Sequence, residues 1–189
     1  MRIISGKARG TKLFTLEGLE TRPTLDRVKE SLFNIINSYI SNAIVLDLFS
    51  GSGAIGLEFA SRGAKQVLLC EKSNKASQII KKNIEKTHFE EYIELYNCDF
   101  KELLQNVKNK KFDIIYLDPP YKTDYIIQSV KLIKDYNLLN EDGFIIVETD
   151  EPERIKNQIS KLGILINDKR KYGRANLFFI MHKDIKKCC

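Results

Sequence analysis

The chain has 189 residues, a formal net charge of +6, 43% hydrophobic and 30% charged residues, which gives length for one domain with a small appendage and excludes whole-chain disorder. Ten Gly and four Pro are too few for a collagen-like or low-complexity chain. No apolar run approaches the roughly 20 residues of a membrane helix, and the basic N-terminus has no apolar stretch behind it, so neither membrane spanning nor secretion is expected.

Charge is spread unevenly. Residues 1–40 carry seven Lys/Arg against four Asp/Glu, 41–168 carry 17 against 20, and 169–189 carry seven against one. Basic ends around an acidic middle suit a polyanion gripped by the ends, and nucleic acid is the commonest polyanion; a solvated Lys-rich surface has the same composition. Cys70, Cys98, Cys188 and Cys189 show neither the paired C-x-x-C of a zinc site nor a disulfide framework, so no metal is expected and the cytoplasm is the expected compartment. Cys70 and Cys98 read as small hydrophobes of buried strands. The terminal Cys188-Cys189 after Lys186-Lys187 has the form of a prenylation signal, but the chemistry below has no use for a lipid.

In chain order, Arg2-Ile3-Ile4 is strand-like and opens an irregular basic arm that ends at Thr21-Arg22-Pro23. Residues 24–40 predict a capped amphipathic helix with Leu25, Val28, Leu32, Ile36 and Tyr39 on one stripe. Short apolar segments at 43–49, 66–71, 93–98, 112–118 and 143–149 predict strands covered on both faces, and 54–62, 73–87, 100–108 and 125–136 between them have helical spacing. Such alternation predicts an α/β fold with a parallel sheet wound by right-handed crossovers. A helix to about Leu162 should follow, then strands 164–167 and 177–182 joined by a basic turn at 169–174, closing an antiparallel hairpin. With no repeat and no long linker, the expected organisation is a basic arm and helix over 1–40 and one α/β domain over 41–189.

The first strand runs into Asp47-Leu48-Phe49-Ser50-Gly51-Ser52-Gly53-Ala54-Ile55-Gly56, a G-x-G-x-x-G turn from strand to helix that lets a ligand approach the backbone. Asp47 at the strand's carboxyl end would repel a pyrophosphate and attract a cation. S-adenosylmethionine, with a sulfonium, an ammonium and no phosphate, fits better than a dinucleotide. Glu71 falls 20 residues after Gly51, where an acid can accept bonds from both ribose hydroxyls. Asp99 ends the third strand and is placed to accept from an adenine amino group, with Phe100 beside it. Each acid also suits a helix cap.

The fourth strand ends in Asp118-Pro119-Pro120-Tyr121. Two prolines fix φ and remove backbone donors, so the turn presents carbonyl oxygens and a carboxylate on a rigid frame. An exocyclic amine on a base is a poor nucleophile because its lone pair is delocalised into the ring. If Asp118 and the Pro119 carbonyl each accept one of its hydrogens, the nitrogen can turn toward sp³ character, while Tyr121 offers a flat face for the base. His88 and His182, the only histidines, lie away from these motifs and read as structural.

Taken together, Asp47…Gly51-x-Gly53, Glu71, Asp99 and Asp118-Pro119-Pro120-Tyr121 resemble the class I S-adenosylmethionine-dependent methyltransferases that modify exocyclic amines. Ser5-Gly6-x-x-Arg9-Gly10, the stretch Arg22-Pro23-Thr24-x-Asp26-Arg27-Val28-Lys29-Glu30-x-Leu32-Phe33-Asn34 and Tyr172-Gly173 make nearly the whole chain similar to the RsmD family, bacterial guanine-N2 methyltransferases of small-subunit (16S) ribosomal RNA. The resemblance implies a Rossmann-like fold with a mostly parallel seven-stranded sheet, a C-terminal antiparallel hairpin and a small N-terminal extension. It also implies S-adenosyl-L-methionine held by Asp47, Phe49, Gly51, Gly53, Glu71, Asp99 and Phe100, with catalysis at Asp118, Pro119 and Tyr121. Ribosomal RNA or a small-subunit assembly intermediate would be the partner, gripped through Arg9, Arg22 and Arg27; Lys29 reads equally as an RNA contact or a helix-surface charge. Two alternatives stay open: methylation of adenine N6 or cytosine N4 in DNA, and a non-catalytic RNA-binding assembly factor. The Lys-rich tail departs from the family pattern.

Overall fold

A computed structural model describes residues 1–15, 23–120 and 123–182, with the backbone alone over 23–26. Arg22, Tyr121 and the Cys188-Cys189 tail therefore lie outside the described residues, as does the Leu25 side chain. Two compact units make up the chain, Met1–Asp99 and Phe100–Cys189.

In the first unit, helix α1 (Pro23–Ile35) and a 3-10 turn (Asn37–Tyr39) precede strand β1 (Ile44–Asp47), helix α2 (Ala54–Ser61), β2 (Gln66–Cys70), α3 (Asn74–Thr87) and β3 (Ile93–Tyr96). The three strands are parallel, with Val45 opposite Val67 and Leu69 opposite Leu95. Val45, Leu46, Val67, Leu68 and Leu69 are wholly buried, which is why these strands read as continuous apolar runs rather than alternating ones. The expected helix over 24–40 is shorter. After Ile35 the backbone tightens, so Val28, Leu32 and Ile36 stay buried while Ile40 replaces Tyr39 in the core and Tyr39 turns out to solvent. The change from 3.6 to 3.0 residues per turn moves the stripe out of phase.

The second unit holds α4 (Phe100–Asn106), β4 (Phe112–Leu117), α5 (Tyr125–Asp135), β5 (Leu139–Thr149), α6 (Pro152–Lys161), β6 (Asp168–Tyr172) and β7 (Ala175–Met181). β5 runs parallel to β4 and antiparallel to β7, which pairs antiparallel with β6. The whole sheet has seven strands in the order β3-β2-β1-β4-β5-β7-β6. The hairpin differs from expectation in register. Residues 169–174, read as its turn, are mostly strand: Tyr172 pairs with Ala175, and the chain reverses over Gly173-Arg174 alone. Lys169, Arg170 and Lys171 sit on the sheet's edge, exposed, where cations discourage edge-to-edge pairing and conceal the strand from an apolar pattern. β5 begins four residues earlier than expected, with a register shift against β4 between Phe112 and Ile114, so polar Asn140-Glu141-Asp142 fall inside the start of the strand. Among the described residues no helix is long and apolar enough to cross a membrane.

Cys70 is buried as expected, while Cys98 is half-buried. Burial pushes the Cys70 thiol well up from its ordinary value, which leaves it inert. His88 ends α3 in the left-handed conformation at φ 56°, and His182 Nδ1 lies 3.2 Å from the Glu141 carbonyl.

Candidate active site

The glycine loop follows β1 directly. The Ser50 amide donates to the Cys70 carbonyl (2.9 Å) and the Gly53 amide to the Ser50 carbonyl (2.7 Å), which folds the loop back on itself. Gly51 and Gly53 take φ of 55° and 79°, Gly53 as the residue that caps α2, a conformation that L side chains adopt only at a cost. A Cβ at Gly51 would meet nothing within 4 Å, so that face of the loop is open.

Asp47 is buried at the end of β1, and among the described residues neither of its carboxylate oxygens has a hydrogen-bond partner. The nearby Ser50 hydroxyl donates instead to the Asp47 backbone carbonyl, at 2.9 Å. Burial pushes the carboxyl up to about 7; the backbone N–H groups of Gly56 and Phe49 and the Ser50 hydroxyl, near the carboxylate but outside hydrogen-bond geometry, act against the rise, and the Glu71 charge adds to it. A partnerless buried carboxyl beside an open glycine loop fits a cationic ligand and rejects a phosphate.

Glu71 follows β2 and is anchored at both oxygens, accepting from the Gly51 amide (2.9 Å) and the Ser73 amide (2.7 Å). Each oxygen keeps a second lone pair, so the anchored carboxylate can still accept from a diol. Asp99, three residues beyond β3, accepts from Lys72 Nζ at 3.1 Å in a largely exposed ion pair. Lys72 carried no signal in the sequence. Phe49 is half-buried. Asp47, Glu71 and Asp99 lie at or just beyond the carboxyl ends of three successive parallel strands, the edge at which open α/β sheets bind ligands.

In the second unit, Phe100 is buried, its ring 5.1 Å from that of Tyr125. Asp118 follows β4 directly and is half-buried, Pro119 is buried and Pro120 exposed. The Thr123 hydroxyl donates to the Pro120 carbonyl at 2.9 Å. Tyr116, two residues before Asp118, donates from its hydroxyl to Glu148 on β5, and burial pushes the Glu148 carboxyl up despite that bond.

The arm is tied to α2 by polar groups that sequence reading missed. Glu58, wholly buried, accepts from the amides of Ile4 (2.7 Å) and Ser5 (3.0 Å) and from Arg62 Nε (2.8 Å), with Lys29 Nζ at 3.2 Å. Lys29 is therefore neither a helix-surface charge nor exposed to a partner: it is buried and also donates to the Arg2 carbonyl. Gly6 is required here, because a Cβ would lie 1.9 Å from the Ser61 carbonyl oxygen. The Ser5-Gly6 part of the arm motif thus serves docking, while Arg9 and Arg27 are exposed. Asn83, buried in α3, binds the Phe14 amide (2.7 Å) and the carbonyls of Phe14 and Ser52 (3.0 and 2.9 Å), joining arm to glycine loop. The signal that could have found them was a polar residue on the buried stripe of each helix: Glu58 and Ser61 in α2, Asn83 in α3.

Residues 1–181 match the family described as conserved hypothetical protein 95. A Bacillus subtilis protein provisionally named as an rRNA methyltransferase, YlbH, is 37% identical over 92% of this chain and 94% of the relative. Ribosomal RNA small subunit methyltransferase D of Haemophilus influenzae is 38% identical over 80% of this chain and 79% of the relative. The chain belongs to the RsmD methyltransferase family. A solved Haemophilus influenzae structure, provisionally described as a methylase, shares this family member's architecture at a TM-score of 0.76, with 31% identity over 96% of this chain and 97% of the other. A solved structure provisionally described as a methyltransferase complexed with SAH has the same fold at a TM-score of 0.68, with 21% identity over 85% of this chain and 50% of the other.

Proposed function

We propose that the protein transfers a methyl group from S-adenosylmethionine to N2 of a guanine in small-subunit ribosomal RNA. The coarser reaction follows from family membership and from relatives named for ribosomal RNA. An exocyclic amine as the acceptor is supported by the strand end Asp118-Pro119-Pro120, whose first member is a carboxylate and whose prolines offer acceptors without donors; guanine N2 in particular is supported by the resemblance of the Arg22 to Asn34 segment to the RsmD family.

Asp47, Glu71 and the Gly51–Gly53 loop hold the cofactor, Asp47 toward its cationic end and Glu71 toward the ribose. Asp99 and Phe100 serve the adenine. S-adenosylmethionine, when bound, supplies an electrophilic methyl group on a sulfonium that departs as a neutral thioether. Asp118 and the Pro119 carbonyl accept the two N2 hydrogens, freeing the nitrogen lone pair to form the N–C bond as the S–C bond breaks. The methylated amine is then acidic enough to lose a proton to Asp118 or water. No covalent enzyme intermediate is needed, so catalysis is positioning and electrostatics. Tyr121 is assigned the stacking face. Arg9, Arg22 and Arg27 are assigned the RNA backbone, on naked small-subunit RNA or an assembly intermediate, in the cytoplasm.

The test is mass analysis of nucleosides from small-subunit RNA and from DNA of a deletion strain. Loss of N2-methylguanosine from the RNA is the expected result. Loss of N6-methyladenine or N4-methylcytosine from the DNA would move the substrate to DNA. Unchanged nucleosides, with no cofactor binding by the purified chain, would leave an assembly factor that has kept the fold.

A further inference from the structure

Pro119 and Pro120 have no backbone N–H, so the main chain of these two residues can be held by hydrogen bonds only through its carbonyls. Thr123 supplies one such hold, its hydroxyl donating to the Pro120 carbonyl at 2.9 Å. Thr123 is itself held from α6. Arg154 Nη2 donates to the Thr123 carbonyl (2.8 Å), Nη1 to Asp124 Oδ1 (3.0 Å) and Nε to Glu151 Oε2 (2.9 Å). Every guanidinium nitrogen is thus engaged, and two of the three act on consecutive residues just beyond the turn. Gln158 Nε2 adds a second bond to Asp124 Oδ1 at 3.2 Å.

We propose that Arg154 is a positioning residue for the methyl-accepting turn: through Thr123 it fixes the Pro120 carbonyl, and with it the Asp118-Pro119 acceptor pair, in the orientation that the target amine requires. The proposal rests on the role given above to Asp118 and Pro119. A planar fork with five donors in fixed directions suits this task, and a lysine's single ammonium cannot reproduce it. Arg154 is given no substrate contact in this scheme, since its three guanidinium nitrogens are spent on Thr123, Asp124 and Glu151. The competing account is a partly exposed ion-pair network that joins helix ends and contributes little to stability. Under that account the turn would keep its geometry without Arg154.

The two accounts separate in the full-length protein carrying Arg154→Ala, Arg154→Lys, Thr123→Val or Thr123→Ser. Single-turnover methyl transfer to small-subunit RNA, at saturating cofactor and RNA, should slow about tenfold or more in Arg154→Ala and Thr123→Val, because a small misplacement of reacting groups is costly. Thr123→Ser keeps the hydroxyl and should recover the rate to within about twofold. Arg154→Lys should stay slow, and added guanidinium ion should restore part of the Arg154→Ala rate. Cofactor affinity by calorimetry should be unchanged in all four. Amide hydrogen exchange over residues 123–126 should speed up in Arg154→Ala and Thr123→Val; this readout needs no substrate. A wild-type rate in Arg154→Ala, or a loss that guanidinium does not rescue and that matches a loss of cofactor affinity, overturns the positioning role. If the wild-type protein itself transfers nothing to RNA, the proposed function fails, and unchanged exchange over 123–126 would then remove the brace as well.

Discussion

Replacing Asp47 with Asn should change how stability depends on pH, and the size of the effect follows from burial. The Asp47 carboxyl is pushed from 3.8 to about 7, a rise of about 3 units, which at about 1.4 kcal/mol per unit is worth about 4 kcal/mol. Because the folded pKa is the higher one, the folded chain holds this proton more tightly than the unfolded chain. The stability it contributes is whole below pH 3.8 and is lost as pH rises through 7. The asparagine variant has no proton to lose there. Urea unfolding of both proteins from about pH 4 to 8, without cofactor, should therefore show wild type losing up to about 4 kcal/mol relative to Asp47→Asn. Cofactor binding should run the other way: a cation beside the carboxylate favours its ionised form, so wild-type affinity should climb with pH toward about 7 and binding should release a proton. Calorimetry near pH 6 in buffers of different ionisation enthalpy measures that release. A stability difference that stays constant across the pH range, with no proton released on binding, would refute the picture of a buried carboxyl kept for a cation.

Removing Glu58 should release the arm, because Glu58→Ala leaves two buried or half-buried cations without the carboxylate they share and the amides of Ile4 and Ser5 without their acceptor. The expected cost is about 3–5 kcal/mol in urea unfolding, a large part of an ordinary domain's stability, and a drop below about 1 kcal/mol would show that the carboxylate does not hold the arm. Glu71→Ala should weaken cofactor binding by about 1.5–3 kcal/mol through the missing charged hydrogen bonds; unchanged calorimetric affinity would take the ribose role from Glu71. Arg9→Ala and Arg27→Ala should weaken RNA binding and flatten its salt dependence by about 0.7–0.9 in slope for each phosphate left without its cation, with cofactor affinity unaltered. Should both slopes stay at the wild-type value, the exposed cations Lys169, Lys171 and Arg174 are the surface to examine next.

The α/β alternation was legible in the sequence because each strand of the parallel part is buried on both faces and so appears as an unbroken apolar run, as at Val67 to Cys70. The glycine loop and Asp118-Pro119-Pro120 were equally legible, since glycine and proline restrict the backbone locally whatever surrounds them. Local pattern failed where distant residues decide. β6 is a strand only because β7 lies beside it; its own Lys169-Arg170-Lys171 has the composition of a solvated turn. Lys29 was ambiguous for the same reason, as the carboxylate that buries it belongs to Glu58, 29 residues further on and on a different helix. Sequence alone determined which residue types stand at the strand ends and hence which chemistry is available, because those motifs are contiguous. Only the tertiary structure decided that Asp47 is buried with no partner among the described residues, that Glu71 is anchored by Gly51 and Ser73, and that Arg154 grips the segment after the prolines. Burial and long-range hydrogen bonds depend on what the rest of the chain brings to a residue, and no local periodicity encodes that.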